Sequence, residues 1–147
     1  MQLGGMHSSI LAPVVALVLW SLVMLLWVYV TRLPAMSAAG ILLEGKVGSR
    51  GSALDGVLPD SVQWKAHNYN HLMEQPTIFY AVSLALAVAG LGEGLNATLA
   101  WIYVGLRVVH SLFQATLNVV RIRFMIFALS SLMLIVLSVR AGLAILL

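Results

Sequence analysis

The chain has 147 residues, of which 61% are hydrophobic and only 9% are charged, and its mean hydropathy is +1.00. Soluble domains carry about 25% charged residues, and a soluble chain this short would expose large apolar surfaces, so the composition predicts one membrane domain. The eight Lys and Arg give a formal net charge of +3 without forming a basic stripe, which excludes a nucleic-acid partner. The lack of Cys excludes disulfides, and it excludes catalysis or metal binding by a thiolate of the chain itself.

The first half of the chain predicts two membrane helices separated by a long loop. Ile10 to Val30 form an apolar run that spans about 30 Å as a helix, so the first helix is placed at residues 9–31. Residues 32–60 are hydrophilic and rich in Gly, which is typical of an exposed loop. Asp60 or Ser61 is expected to cap a second helix at residues 61–90, which Pro76 should kink.

The second half predicts two further helices, at residues 96–119 and 124–146. Asn96 is expected to cap the third helix, and the Arg121-Ile122-Arg123 sequence marks the turn before the fourth. The fold class predicted from these spans is an all-α integral membrane four-helix bundle.

The distribution of Lys and Arg predicts how the bundle is oriented. The first loop and the third turn carry nearly all of these residues, whereas the N-terminus and the second turn carry none. The charges concerned are Arg32, Lys46, Arg50, Lys65, Arg121 and Arg123. The positive-inside rule then places the first loop in the cytoplasm and both termini outside, with Arg140 as the dissenting charge.

Two stripes of polar side chains mark a candidate site. Each stripe repeats at the spacing of one helix face. The stripes consist of His67, Asn70, His71 and Glu74 in helix two and of Arg107, His110, Gln114 and Asn118 in helix three. A charge inside a bilayer costs roughly 2.5 kcal/mol or more unless it is paired or hydrated, so Arg107 should face the bundle interior. The topology brings both stripes to one end, where Glu74 is the expected counter-ion of Arg107.

Other interpretations of these residues stay open. The helix-two stripe can be the wetted face of an interfacial helix, and an Arg107–Glu74 pair can simply hold two helices together. Arg121 and Arg123 can be orientation signals alone, although at this end they also offer positive charge to an anionic group. His67 and His71 are spaced to bind zinc, but without a catalytic pattern no metal site is predicted.

The motifs of helices two and three resemble those of a known family. The pattern [RK]-A-H…N…E…P that opens helix two, the run from His67 to Ala81 and the R-V-x-H sequence of helix three resemble the MAPEG family, the membrane-associated proteins in eicosanoid and glutathione metabolism. The resemblance covers most of the chain, is weakest in the first helix and loop, and is especially close to bacterial members. It implies a homotrimer, in a bacterial inner membrane, with sites between subunits that open to the cytoplasm.

The resemblance also implies a ligand and site residues. The ligand is glutathione as co-substrate, whose carboxylates are bound by basic residues and whose thiol is activated near the start of helix four. Arg107 and Arg123 are the expected catalytic residues. By position, the resemblance also places Lys65, Asn70, Glu74 and His110 in the binding site. The polar stripes and the third turn add His67, His71, Gln114 and Arg121 to the expected substrate-binding residues.

Three departures from the family pattern concern the site. Glu74 follows Asn70 by four positions instead of three, Phe124 and Phe127 stand where prostaglandin-synthase-like members have Ser and Tyr, and Gln114 replaces an aromatic hydroxyl. The leading hypothesis is conjugation of glutathione to a lipophilic electrophile that arrives through the lipid. The alternatives are an inactive scaffold or lipid-binding protein of the same fold, and a small multidrug-type transporter, whose essential first-helix Glu this chain lacks.

Overall fold

The computed structural model describes residues 8–42, 44–45 and 47–147, and within them it contains helices and no strands. The α-helices are α1 (Leu11–Ala38), α2 (Asp60–Leu72), α3 (Pro76–Val88), α4 (Leu95–Thr116) and α5 (Val120–Leu146). A short 3₁₀ helix, Gly51–Leu54, lies in the first loop. Lys46, one of the charges behind the predicted orientation, lies outside the described residues.

The predicted second helix is two helices in the structure. Pro76 has no N–H to donate to the carbonyl of Leu72, and its ring disfavours a continuous helix there. The chain therefore turns over residues 73–75, and Pro76 becomes the first residue of α3, a position that proline favours. The prediction of one kinked helix over residues 61–90 was wrong in this respect.

Other helix ends also differ from the predictions. α1 continues through Pro34 to Ala38, seven residues beyond the predicted end, and α5 begins at Val120 instead of residue 124. α4 ends at Thr116 because Asn118 adopts a left-handed conformation, with φ of 50°, and its N–H donates to the Phe113 carbonyl. This is a common way for a helix to end.

The predicted helix caps are absent. α2 begins at Asp60 with Pro59 at the cap position and no capping side chain, and α4 begins after Gly94. Asn96 lies inside the first turn of α4, where its Nδ2 donates to the Leu91 carbonyl and its Oδ1 accepts from Arg140 Nε at 2.8 Å. Arg140, the dissenting charge, is therefore hydrogen-bonded within the bundle.

The helices pack around α4, which contacts α1, α2 and α5, while α3 contacts α1 and α5. The core includes Leu17, Met24, Phe79, Tyr103 and Leu137, and the rings of Phe79 and Tyr103 stack with centroids 4.6 Å apart. The first loop lies at the same end of the bundle as the α4–α5 turn, because His67 of α2 contacts Asp55 of the loop and shares a cavity with Arg123 of α5.

The N-terminal segment lies at the opposite end, against the α3–α4 turn. Ile10 N–H donates to the Gly92 carbonyl, and Ser9 donates through its N–H and its hydroxyl to the Glu93 carboxylate. A Cβ at Gly92 would lie 2.6 Å from Cγ2 of the buried Ile10 and would also overlap the Ser8 hydroxyl, so this close approach favours glycine. The Ser9 donors hold the pKa of Glu93 below its usual value.

In the part of the chain that the structure describes, α1 and α5 are the two helices long and apolar enough to cross a membrane by length and composition. Only 33% and 17% of their most apolar windows are buried inside the bundle, whereas a core helix of a soluble protein would be mostly buried. Their outward faces carry large apolar side chains such as Leu26, Val30, Ile135 and Leu143. This surface suits lipid as its solvent.

Candidate functional site

A polar cavity of about 320 Å³ opens between α2, α4 and α5, and we call it the α2–α5 cavity. Its walls combine acidic, basic, imidazole, amide and aromatic side chains. The lining residues are His67, His71, Glu74, His110, Gln114, Val120, Arg123, Phe124 and Phe127. Both predicted stripes contribute to it, so the expectation that they meet at one end of the bundle is confirmed.

Arg107 lies behind this cavity, in the bundle interior. Its side chain is 0% exposed, as the cost of a charge in lipid predicts. Its Nη2 donates to the carbonyl of His71 at 3.0 Å, and its Nη1 lies 3.5 Å from His71 Nε2. That carbonyl belongs to the last turn of α2, where carbonyls lack partners within the helix. The break at Pro76 therefore creates the acceptor that Arg107 uses.

His71 connects Arg107 with Glu74. Its Nδ1 lies 3.0 Å from Glu74 Oε2. A guanidinium can only donate, so Nε2 is the accepting nitrogen and Nδ1 carries the proton that is donated to Glu74. The predicted direct ion pair between Arg107 and Glu74 does not form, because the His71 side chain lies between them and Glu74 points outward, with 69% of its side chain exposed.

Phe127 forms an aromatic wall of the cavity. Its ring centroid lies 5.0 Å from that of His71 and 5.9 Å from that of His110, and the Arg107 guanidinium lies 5.6 Å from the same centroid. The rings of His71 and His110 are 5.1 Å apart. Contacts of this kind, including the cation–π contact, hold all four side chains in place.

Arg123 supplies the positive charge that faces the cavity directly. It is half-buried near the start of α5, and its Nη1 donates to Asn118 Oδ1 at 2.6 Å. Asn118 can reach it because the chain turns there in the left-handed conformation. The cavity thus holds a fixed guanidinium and the exposed Glu74 carboxylate, a charge arrangement that matches a ligand carrying both signs.

A second cavity, which we call the loop cavity, has a volume of about 330 Å³ and lies between the end of α1, the first loop and α2. Its lining residues are Arg32, Gly51, Ser52, Asp55, Gln63, Ala66, His67 and Asn70. Asp55 Oδ1 lies 2.9 Å from His67 Nε2 and 2.6 Å from Gln63 Nε2. These two hydrogen bonds hold the pKa of Asp55 below its usual value of 3.8.

A comparison with protein families identifies this architecture. The model of the MAPEG family matches residues 10–143, which is nearly the whole chain. The chain belongs to the MAPEG family. No curated protein and no solved structure is similar enough to count as a match.

Membership of the MAPEG family has two consequences. The chain is an integral membrane protein of the glutathione and eicosanoid group, in agreement with the exposed apolar faces of α1 and α5. The resemblance drawn from the helix-two and helix-three motifs is confirmed, and the small multidrug transporter no longer stands as a family assignment.

Six of the ten predicted site residues line the α2–α5 cavity of this MAPEG protein. They are His67, His71, Glu74, His110, Gln114 and Arg123. The other four lie elsewhere. Arg107 is buried behind His71, and Asn70 lines only the loop cavity. Lys65 faces α1, with Nζ 5.3 Å from the Trp27 ring, and Arg121 is exposed and lines neither cavity.

Three lining residues were not among the predicted site residues: Val120, Phe124 and Phe127. Together with Arg123 they stand at i, i+3, i+4 and i+7 on α5, which is one helix face. These three residues could have been found from the sequence by listing the residues of helix four that share a helix face with Arg123.

The site also contains buried polar atoms without hydrogen-bond partners among the described residues, including His110 Nδ1, Gln114 Oε1 and Arg107 Nε. Such atoms are commonly satisfied by ordered water or by a ligand. Within the described part of the chain, no group of three His, Asp or Glu side chains is placed to hold a metal ion.

Proposed function

We propose that this MAPEG protein binds glutathione in the α2–α5 cavity and conjugates it to a lipophilic electrophile that enters from the lipid. One observation carries the proposal: the cavity combines a fixed guanidinium, a carboxylate and three imidazoles at one end of a membrane bundle. Family membership supports the same ligand class.

The charges of the cavity fit a zwitterionic peptide. Arg123 offers two N–H donors in the geometry that a carboxylate prefers, and Asn118 holds its guanidinium in place. Glu74 uses Oε2 for His71, which leaves Oε1 for an ammonium group. Glutathione carries both kinds of group, so it can bridge Arg123 and Glu74 across the cavity.

The thiol would depend on nitrogen donors. A free thiol has a pKa of about 8.5 and needs a nearby positive charge or hydrogen-bond donor to ionise at neutral pH. Phe124 and Phe127 offer neither, whereas Arg123, His110 and Gln114 line the same cavity. In the reaction the thiol loses its proton to solvent, the sulfur bonds to the electrophilic carbon, and the electron pair of the bond that breaks at this carbon leaves with the displaced group, which passes to solvent as an anion. The positive charge of Arg123 at the cavity favours the step by stabilising the thiolate.

Arg107 does not contact glutathione in this proposal, although the sequence predicted it to be a catalytic residue. Because its side chain is 0% exposed and bonded to His71, it acts as a positioning residue. It fixes the ring of His71, which in turn orients Glu74. Loss of Arg107 should therefore weaken binding through His71 and Glu74, without removal of a direct contact.

We also propose a homotrimer in a bacterial inner membrane, with the first loop cytoplasmic and both termini outside. The excess of Lys and Arg in the first loop and the α4–α5 turn supports this orientation. The open α2–α5 cavity suits completion by a neighbouring subunit.

A second candidate is a catalytically inactive scaffold or lipid-binding protein of the same fold. The aromatic wall favours it, because Phe124 and Phe127 occupy the cavity positions at which a hydroxyl would assist the thiol. In this case the cavity would hold a ligand without turning it over.

Two measurements on the detergent-solubilised protein test these candidates. Calorimetric titration with glutathione up to millimolar concentration should give saturable binding, and a panel of lipophilic electrophiles should give glutathione conjugates. Binding without conjugation would favour the inactive candidate. No binding at millimolar glutathione would overturn the proposed function.

A further inference from the structure

The loop cavity lies where the first helix leaves the lipid. α1 has 28 residues and a length of about 42 Å, which exceeds a hydrocarbon core of about 30 Å. Arg32 follows the apolar run that ends at Val30, so its guanidinium lies at the depth of the lipid headgroups. The loop cavity is therefore a polar compartment at the membrane surface.

Two buried polar atoms of this cavity lack hydrogen-bond partners among the described residues. Gln63 is only 3% exposed, and its Nε2 donates to Asp55 while its Oε1 accepts from nothing. The Nε of Arg32 is likewise buried without an acceptor, while its Nη2 donates to the carbonyl of Gly51. A buried acceptor and a buried donor both cost free energy when unpaired. A ligand with an N–H donor and an anionic oxygen would satisfy both.

The formal charges of the cavity also match a ligand that carries one positive and one negative group. Asp55 supplies a carboxylate, and Arg32 supplies a guanidinium on the opposite element. A ligand that fits both has an ammonium and an anion joined by a short linker. Exposed side chains of α1, namely Leu22, Leu26 and Tyr29, stand at i, i+4 and i+7 on one helix face, and Tyr29 precedes Arg32 by three positions, so this face leads to the cavity. They offer a track for acyl chains.

We propose that the loop cavity binds the headgroup of a phospholipid that carries a primary ammonium, such as phosphatidylethanolamine. The phosphate accepts from Arg32, the ammonium donates to Asp55 and Gln63 Oε1, and the acyl chains lie along the exposed face of α1. A choline headgroup has no N–H to donate and should bind less tightly. This proposal does not use the α2–α5 cavity, and the result of the glutathione titration leaves it unaffected.

The test is native mass spectrometry or calorimetry on the full chain with phosphatidylethanolamine and phosphatidylcholine of identical acyl composition. We expect phosphatidylethanolamine to bind at least about tenfold more tightly, since a charge-assisted hydrogen bond is gained. Asp55→Asn should abolish most of this preference. Asp60→Asn is the matched control, because it removes an exposed carboxylate of the same region that does not line the cavity.

Other arms of the same experiment keep the proposal falsifiable. If Asp55→Asn does not fold, Arg32→Gln provides a second variant and should weaken binding of both lipids through their phosphate. Titration with free phosphoethanolamine tests whether the site binds the headgroup only as part of a lipid or also as a free solute. Equal binding of the two lipids, equal effects of Asp55→Asn and Asp60→Asn, or equally tight binding of free phosphoethanolamine would each overturn a phospholipid site here.

Discussion

Arg123 and Arg121 offer a matched test of the α2–α5 cavity. Both are Arg residues at the start of α5, but Arg123 lines the cavity and is bonded to Asn118, whereas Arg121 is exposed. Changing each to Gln removes the same charge from nearly the same place. A charge-assisted hydrogen bond contributes about 1.5–3 kcal/mol, and each 1.4 kcal/mol is a factor of ten in Kd. Arg123→Gln should therefore raise the Kd for glutathione by about 10- to 150-fold.

The same titration gives a smaller effect for Arg121→Gln. An exposed charge contributes about 0–1 kcal/mol to the interaction with a charged ligand or partner. Arg121→Gln should therefore raise the Kd for glutathione by less than about fivefold. The assay is calorimetry on both variants and the wild type in one detergent, at low and physiological salt. The Arg121 effect should shrink with salt, because exposed charges are screened. Equal losses in the two variants would show that only the net charge of this end matters, and the cavity assignment would then be wrong.

Three further changes test other parts of the account. Phe127→Tyr adds a hydroxyl near His71 and should raise the conjugation rate by about tenfold, below the ~100-fold of an optimised donor; an unchanged rate with intact binding would show that a hydroxyl there is not what the site lacks. Leu137→Ala, at a position that is 0% exposed, should lower the free energy of unfolding by about 2–5 kcal/mol. Ile135→Ala, on the lipid face, should lower it by less than half as much. Denaturation in mixed micelles measures the free energy of unfolding of both variants. Because the pKa of Asp55 is lower in the folded state, its stabilising contribution is present above its usual value of 3.8 and is lost as the pH falls through the folded pKa. Thermal melts from pH 3 to pH 6 should show a smaller loss of stability in acid for Asp55→Asn than for the wild type, and the loss that remains includes that of Glu93, whose pKa is also lowered.

The all-helical fold and the meeting of the polar stripes could be predicted because hydropathy and helical periodicity are local properties of the sequence. The break before Pro76 was harder to place, since a proline in a membrane helix can produce either a kink or two helices. What decides between them is whether another group satisfies the freed carbonyls. Here Arg107 donates to the carbonyl of His71, and that contact joins residues 36 positions apart.

The same kind of long-range contact explains which site residues were misplaced. Charge complementarity suggested that Arg107 pairs with Glu74, but the ring of His71 lies between them and contacts both side chains. Lys65 lies over Trp27 instead of facing the cavity, because the face of a helix that a neighbour covers depends on how the helices cross. Phe124 and Phe127 were recognised as departures from a pattern, and apolar residues carry no signal of their own that marks a polar site.

A structure of the protein with glutathione in lipid nanodiscs tests the central claim most directly. The account predicts density for the tripeptide between α2, α4 and α5, with a carboxylate on Arg123 and its ammonium near Glu74. Glutathione bound outside this cavity, or lipid chains filling the cavity at saturating glutathione, would contradict it.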